Sequence, residues 1–270
     1  MCLVVVALNA RDDLLLVLAG NRDEFHARPT APMGWREIAG VRMLAGQDLE
    51  AGGTWLGVAP GGRFATVTNY REGRPAPAGG PSRGELVPAW LGSSLDAKGF
   101  AAQLQDSAES YAPYNLLFGD SRDGELYYFS NRGSSNRAPG PSALDGGIHA
   151  LSNHLLNTAW PKTERTSQRL GALVSAPDAP NDEQLFELLA DREGAPDSEL
   201  PDTGVGLAYE RVLAPPFIVT ERYGTRCSSV LTVSHQGVCR FVERSFDEHG
   251  HIIGQRYEQF DIEAAPGVRG

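Results

Sequence analysis

The second residue of the chain is a cysteine, and a run of strand formers, Leu3 to Leu8, follows it at once. A side chain this small behind an initiator methionine normally permits removal of that methionine. Cys2 would then carry a free α-amine, so that a nucleophile and its base sit on one residue. The amine has a reference pKa of about 7.7 to 8.0 and the thiol about 8.5, so near neutral pH either can pass a proton to the other without a histidine. That is the arrangement of an N-terminal nucleophile. A small hydrophobe that happens to begin a buried strand would read the same way, and position alone leaves the two readings level.

A second group of reactive residues, Asn21-Arg22-Asp23-Glu24, follows the apolar run 14–19 and Gly20. If the two runs pair through the turn Arg11-Asp12-Asp13, the end of the second returns beside Cys2, because antiparallel partners bring start next to finish. Arg22 would then favour the thiolate, and Asp23 would hold an ammonium or orient the base. Such a tetrapeptide is ordinarily a solvated turn; here the hairpin delivers it to the one nucleophile that processing can arm.

The elements that must position these groups read as strands, then helices, then strands. After the opening hairpin, Thr54 to Ala59 and Phe64 to Tyr70 flank a Gly61-Gly62 turn. Residues 71–83 are a Pro/Gly loop, and helical spacing runs over Gly84 to Ser93 and Asp96 to Tyr111, with Asp96 as an N-cap. Strands return at Asn115 to Phe118 and Glu125 to Ser130, followed by a surface loop at 133–147 and a strand from Ile148 to Asn153. Pro161 opens a helix with Leu170, Leu173 and Val174 on one face, and Asn181 with Gln184 forms a capping box for the next. Phe217 to Thr220, Ser228 to Ser234, Val238 to Phe246 and Ile252 to Ile262 close the chain as an antiparallel meander. Two groups of strands around a helical block, with no repeat and no second domain, predict a layered α+β sandwich with Cys2 projecting from a strand end into a cleft between sheets.

Composition narrows the partners. The 270 residues carry a formal charge of −10 with no block of Lys and Arg, which argues against nucleic acid and anionic membrane surfaces. The first apolar run is too short and lacks the basic flank of a signal peptide or a membrane span. The chain has three cysteines. With Gln236-Gly237 as a two-residue turn, Cys239 faces Ser234 and Cys227 lies opposite Phe246, so they are not bonded. A reducing cytoplasm fits, with the Cys2 thiol free to react.

Several strings together resemble the NRDE family, also called the transport and Golgi organisation family. They are Met1-Cys2-Leu3; Asn21 to Phe25 with Arg28-Pro29; Gly52-Gly53-Thr54-Trp55-Leu56-Gly57; Thr68-Asn69-Tyr70-Arg71; Ser82-Arg83-Gly84; Leu151-Ser152-Asn153; Asn157 to Lys162; and Tyr223-Gly224-Thr225-Arg226. They span nearly the whole chain. The family is similar to cysteine N-terminal-nucleophile hydrolases of the bile-salt hydrolase and penicillin V acylase type, which implies one four-layer αββα domain over residues 1–270. The resemblance implies Cys2 as nucleophile, Arg22 and Asp23 at its thiol and amine, Asn69 and Asn153 as oxyanion-side asparagines, and Arg226 as the distal arginine. The same motifs make Asn21, Glu24, Trp55, Tyr70, Arg71 and His154 the candidates for ligand binding.

The implied activity is hydrolysis of a small amide or thioester, with acyl transfer through Cys2 to water. The family is also associated with haem trafficking and acyl-CoA and lipid metabolism, which gives the alternative of a non-catalytic haem or acyl-CoA carrier using the same cleft. Six scattered histidines and the lack of a Cys-x-x-Cys-His string speak against a permanent haem, and leave transient ligation by Cys2 or His154 open. No required cofactor is expected, and no zinc, because no Cys or His pair is backed by a second pair at ligand spacing. Trp35, Trp55, Trp90 and Trp160 read as core or pocket wall.

Overall fold

Runs of valine and leucine without charge are what a strand covered on both faces requires, and the two opening runs fold that way. The computed structural model describes residues 2–73, 79–133 and 142–263, so the expected loss of Met1 and parts of the loops read at 71–83 and 133–147 lie outside the described residues. Strands β1 (Cys2–Leu8) and β2 (Leu14–Phe25) pair antiparallel, with Leu8 opposite Leu16 and Cys2 opposite Arg22. Alternation along them sends Val4, Val6, Leu16 and Leu18 into one apolar layer and Val5, Ala7, Val17 and Ala19 into another. Cys2 shares the parity of Val4 and Val6, so it faces the first of these layers, which lies between the two sheets.

The first sheet has the order β10 (Gly147–Leu151), β1, β2, β11 (Tyr223–Ser234), β12 (Val238–Phe246), β13 (Ile252–Asp261). The second is a meander in chain order, β3 (Thr30–Ile38), β4 (Val41–Asp48), β5 (Leu56–Val58), β6 (Arg63–Asn69), β7 (Tyr114–Asp120), β8 (Glu125–Ser130), β9 (Ser142–Ala143). All neighbours in both are antiparallel. Helices α1 (Leu86–Leu91) and α2 (Ala97–Ser107) cover the outer face of the second sheet through Val87, Trp90, Phe100 and Leu104. Helices α3 (Pro161–Val174) and α4 (Asp182–Leu189) cover the first through Leu170, Val174, Leu185 and Leu189. The result is the αββα stack. Each fully buried aliphatic side chain contributes about 1.5–3 kcal/mol to it.

The expected caps are present: Gly99 N donates to Asp96 Oδ1 at 2.7 Å, and Asn181 and Gln184 cap each other at 3.0 Å. Other expectations are corrected. The Asn21 to Glu24 cluster does not follow a strand but lies inside β2, which runs on to Phe25 because β1 and β11 pair with it on both sides. Polar residues in a strand carry no hydrophobic alternation, so the extension is invisible to periodicity. The same lack of signal hid β3, where Met33 and Ile38 are the buried apolar residues, and α5 (Leu207–Leu213), whose apolar residues other than Leu213 face outward; β4 was passed over although Met43, Leu44 and Ala45 are buried. Phe217 to Thr220 forms no strand, only a bridge from Val219 to Gly224. The terminal hairpin turns through three residues, so Cys239 faces Val233 and Cys227 faces Ser245, one place from the expected partners. Both are buried, Cys2 is partly exposed, and none of the three is in a disulfide.

Candidate functional site

Strand register builds the site first. Cys2, at the end of β1, stands directly opposite Arg22 on β2, and Thr225 of β11 stands opposite Asp23 on the other side. Alternation then divides the motif: Arg22 and Glu24 face the space between the sheets, while Asn21 and Asp23 face the helical layer of α3 and α4. Asn21 donates from Nδ2 to the carbonyls of Leu189 and Pro216, both at 2.9 Å, and accepts from Ser228 at 2.6 Å. It clamps that layer and does not reach the cleft.

Cys2, Arg22, Asp23, Glu24, Trp55 and Asn69 line one cleft of about 840 Å³. The Arg22 guanidinium lies 4.5 Å over the ring of Trp55 and reaches Asp48 at 3.3 Å. Trp55 fits there because residue 46 is glycine, where a Cβ would come within 2.2 Å of the indole. Burial pushes the Cys2 thiol above its ordinary value, and the Asp23 charge raises it further, while Arg22 pulls it down. The expected signs for the positive amino terminus and for Arg22 hold, yet burial outweighs both. Burial likewise raises the Asp23 carboxyl, opposed by the positive amino terminus, by Lys162 and by a 2.7 Å hydrogen bond from the Thr225 hydroxyl.

The two asparagines are brought together by the segment after β10. The Ser152 hydroxyl donates to the Cys2 carbonyl at 3.2 Å, and the Thr68 hydroxyl donates to the Ser152 carbonyl at 3.0 Å, which ties one sheet to the other. Asn153 is fully buried behind Asn69, and its Nδ2 donates to the main-chain oxygen of Asn69 at 3.1 Å and to its Oδ1 at 2.9 Å. With Oδ1 so engaged, the Nδ2 of Asn69 is the end left to donate into the cleft. Asn69 lines that cleft and Asn153 stands behind it.

The remaining candidates lie elsewhere. Arg226, at the irregular step between Thr225 and Cys227, donates to the carbonyls of Phe25, His26 and Arg28 at 2.9, 3.1 and 3.1 Å, and lines a separate cavity of about 380 Å³. Arg71 forms a buried ion pair with Glu210 of α5 at 3.1 Å and lies 4.7 Å over Trp160. Tyr70 packs on His154 at 4.9 Å, and His154 bonds Thr158 at 2.9 Å without lining the Cys2 cleft. Among the described residues there is no group of three or more His, Cys, Asp or Glu that could hold a metal ion.

Sequence reasoning passed over two residues inside strings it had already marked. Lys162 is buried on α3, donates to the Leu213 carbonyl at 2.9 Å and acts on Asp23; burial lowers its pKa to about 8. Arg83 lines the Cys2 cleft. The missed signal was a charged residue within an otherwise apolar or glycine-rich string.

An αββα stack with a cysteine heading an interior strand and opening on the space between the sheets defines the N-terminal-nucleophile hydrolase fold. The solved structure of penicillin V acylase from Agrobacterium tumefaciens matches it with a TM-score of 0.52 at 12% identity, over 97% of this chain and 86% of that one. The chain belongs to the Transport and Golgi organisation 2 family, whose pattern matches residues 1–248. It is 32% identical over 244 residues to the Transport and Golgi organization 2 homolog of Mus musculus, covering 85% of this chain and 86% of that one. It is 34% identical over 245 residues to the homolog of Bos taurus, with the same coverage. No helix among the described residues is long and apolar enough to cross a membrane.

Proposed function

We propose that the protein is an N-terminal-nucleophile cysteine amidohydrolase that cleaves a small amide or thioester in the cytoplasm. The observation that carries this reading is the placement of Cys2 opposite Arg22, on the cleft that also holds the Nδ2 end of Asn69. Once Met1 is gone, the Cys2 amine takes the thiol proton as sulfur attacks the substrate carbonyl carbon. The oxyanion that forms accepts a hydrogen bond from Asn69, and the ammonium gives its proton to the departing amine or thiol. Asp23, buried beside this centre, holds the ammonium in place. Water then attacks the acyl-Cys2 thioester, releasing the acid and restoring the thiol. No cofactor enters these steps.

The test is intact mass after incubation with a p-nitrophenyl ester, paired with release of p-nitrophenol. An acyl adduct on Cys2 that turns over, and is lost in Cys2→Ala, supports the reading. Failure of wild type to acquire or turn over any acyl group sinks it.

The second reading is a carrier of acyl-CoA or haem, with haem bound transiently. It is favoured by the raised thiol and by the apolar side chains exposed at the cleft, Phe25, Tyr209 and Val212. A haem titration followed by its absorbance reads that alternative directly.

A further inference from the structure

The cleft contains three arginines at least partly buried, and their surroundings differ. Arg22 reaches Asp48 at 3.3 Å and Glu24 at 3.8 Å, and Arg28 holds Asp48 at 2.6 Å and Glu50 at 2.9 Å. Arg83 donates from Nη1 to the Pro113 carbonyl at 3.1 Å and makes no ion pair among the described residues. Burial lowers its pKa, and the charges acting in its favour are a Cys2 thiolate and Glu24. A guanidinium withdrawn from water with no carboxylate against it lacks the counter-charge that ordinarily offsets its desolvation.

Its backbone is held firmly. Thr54 N donates to the Gly84 carbonyl at 3.1 Å, and a Cβ on Gly53 would come within 2.5 Å of the Gly84 carbonyl carbon, so only glycine allows the two segments to meet. Ser82 and Glu85 cap each other around the same turn, with Ser82 N donating to Glu85 at 3.0 Å. The Gly-Gly-Thr-Trp and Ser-Arg-Gly strings thus interlock, and what they present to the cleft is Trp55 and Arg83.

The same cleft is lined by apolar groups that stand in solvent, namely Phe25 at 59%, Tyr209 at 67% and Val212 at 39% exposure. We propose that Arg83 recognises a carboxylate on the substrate, whose apolar acyl portion lies against Phe25 and α5, so that the substrate class is an acyl compound bearing a single carboxylate. This rests on the hydrolase reading for its chemistry, but not for its binding. The cleft lining sets Asp23, Glu24, Asp48 and Glu221 against Arg22, Arg28, Arg83 and Arg222, so it holds no surplus of positive charge to favour a phosphate dianion over a singly charged group.

The experiment is calorimetric titration of the Cys2→Ala protein with octanoate, octanamide and octyl phosphate, so that no acyl transfer intervenes. Octanoate is expected to bind at least tenfold more tightly than octanamide and more tightly than octyl phosphate. Adding Arg83→Gln should bring octanoate down to octanamide, while Arg83→Lys should keep part of the preference and report that the fold is intact. Lack of octanoate binding, an equal affinity for the amide, a preference for the phosphate, or a preference that survives Arg83→Gln would each overturn the proposal. The hydrolase reading is judged separately, by the acyl adduct on wild-type Cys2.

Discussion

The Nδ2 of Asn153 donates to both oxygens of Asn69, at 3.1 and 2.9 Å, and is itself sealed from solvent. On the hydrolase reading, Asn69 is then the donor at the cleft, and Asn153, by holding its Oδ1, sets which end of that amide faces it. These are different jobs. Asn69→Ala should lower the acylation rate of Cys2 by a p-nitrophenyl ester by roughly a hundredfold or more, the usual consequence of losing an oxyanion donor. Asn153→Asp, which keeps an acceptor but loses the donated hydrogen bonds, should lower kcat more than it raises KM. An Asn153→Asp enzyme with wild-type kcat would contradict the positioning role.

Thiol labelling should separate the three cysteines. Cys227 and Cys239 are 4% and 0% exposed, and burial raises both, Cys239 to about 12. Cys2 is only partly buried, so iodoacetamide should reach it first. Because its thiol also lies above the ordinary value near 9, its labelling rate should still be rising as pH passes 9, as thiolate accumulates. Peptide mapping after brief exposure at several pH values measures this, and intact mass of untagged protein reports the loss of Met1. Equal labelling of all three would remove any special environment from Cys2.

Lys162 should leave a mark on stability against pH. Its pKa is about 8 in the folded chain against 10.5 ordinarily, so between those values the unfolded chain binds a proton that the folded chain does not. Stability from this group is therefore flat below pH 8 and rises from there to about 10.5. Relative to Lys162→Met, which has no such titration, wild type should gain up to about 3 kcal/mol across that window. Chemical denaturation of both proteins at pH 7.5 and 10 checks it, and parallel curves would show that the ammonium is not desolvated.

Helix α5 hangs on two buried cations, through Arg71 to Glu210 and through Lys162 to the Leu213 carbonyl. Glu210→Ala leaves Arg71 buried without its acid and should cost about 3–5 kcal/mol, as removal of one partner of a buried pair does. Because α5 contributes Tyr209 and Val212 to the cleft, the same change should weaken octanoate binding at temperatures where the protein remains folded. Retained stability would mean that water already reaches the pair.

The sequence by itself determined the opening hairpin and its partner. Val4, Val5 and Val6 against Leu16, Val17 and Leu18 read as a strand pair covered on both faces, and that pairing brings the cluster from Asn21 to Glu24 back beside Cys2. The Asp96 cap, the Asn181 box and the helix opened by Pro161 were legible because each rests on local hydrogen bonds between near neighbours. Asn69 and Asn153 were marked only through the family resemblance, and not by any local pattern.

Tertiary structure decided what no local pattern carries. Residues 21–24 extend a strand because β11, two hundred residues later, pairs with them, and that pairing sends Asn21 toward α4 while Arg22 faces the cleft. One extra turn residue after Ser234 moved both late cysteines by one register position. Arg226, Tyr70, Arg71 and His154 stand near marked neighbours in sequence, yet their side chains are taken up by carbonyls, rings and an acid outside the cleft. Arg83 went unread for the opposite reason, since only the meeting of Gly53 with Gly84 brings it beside Cys2. Charged residues obey no periodicity, so where they end up depends on which distant backbone closes over them.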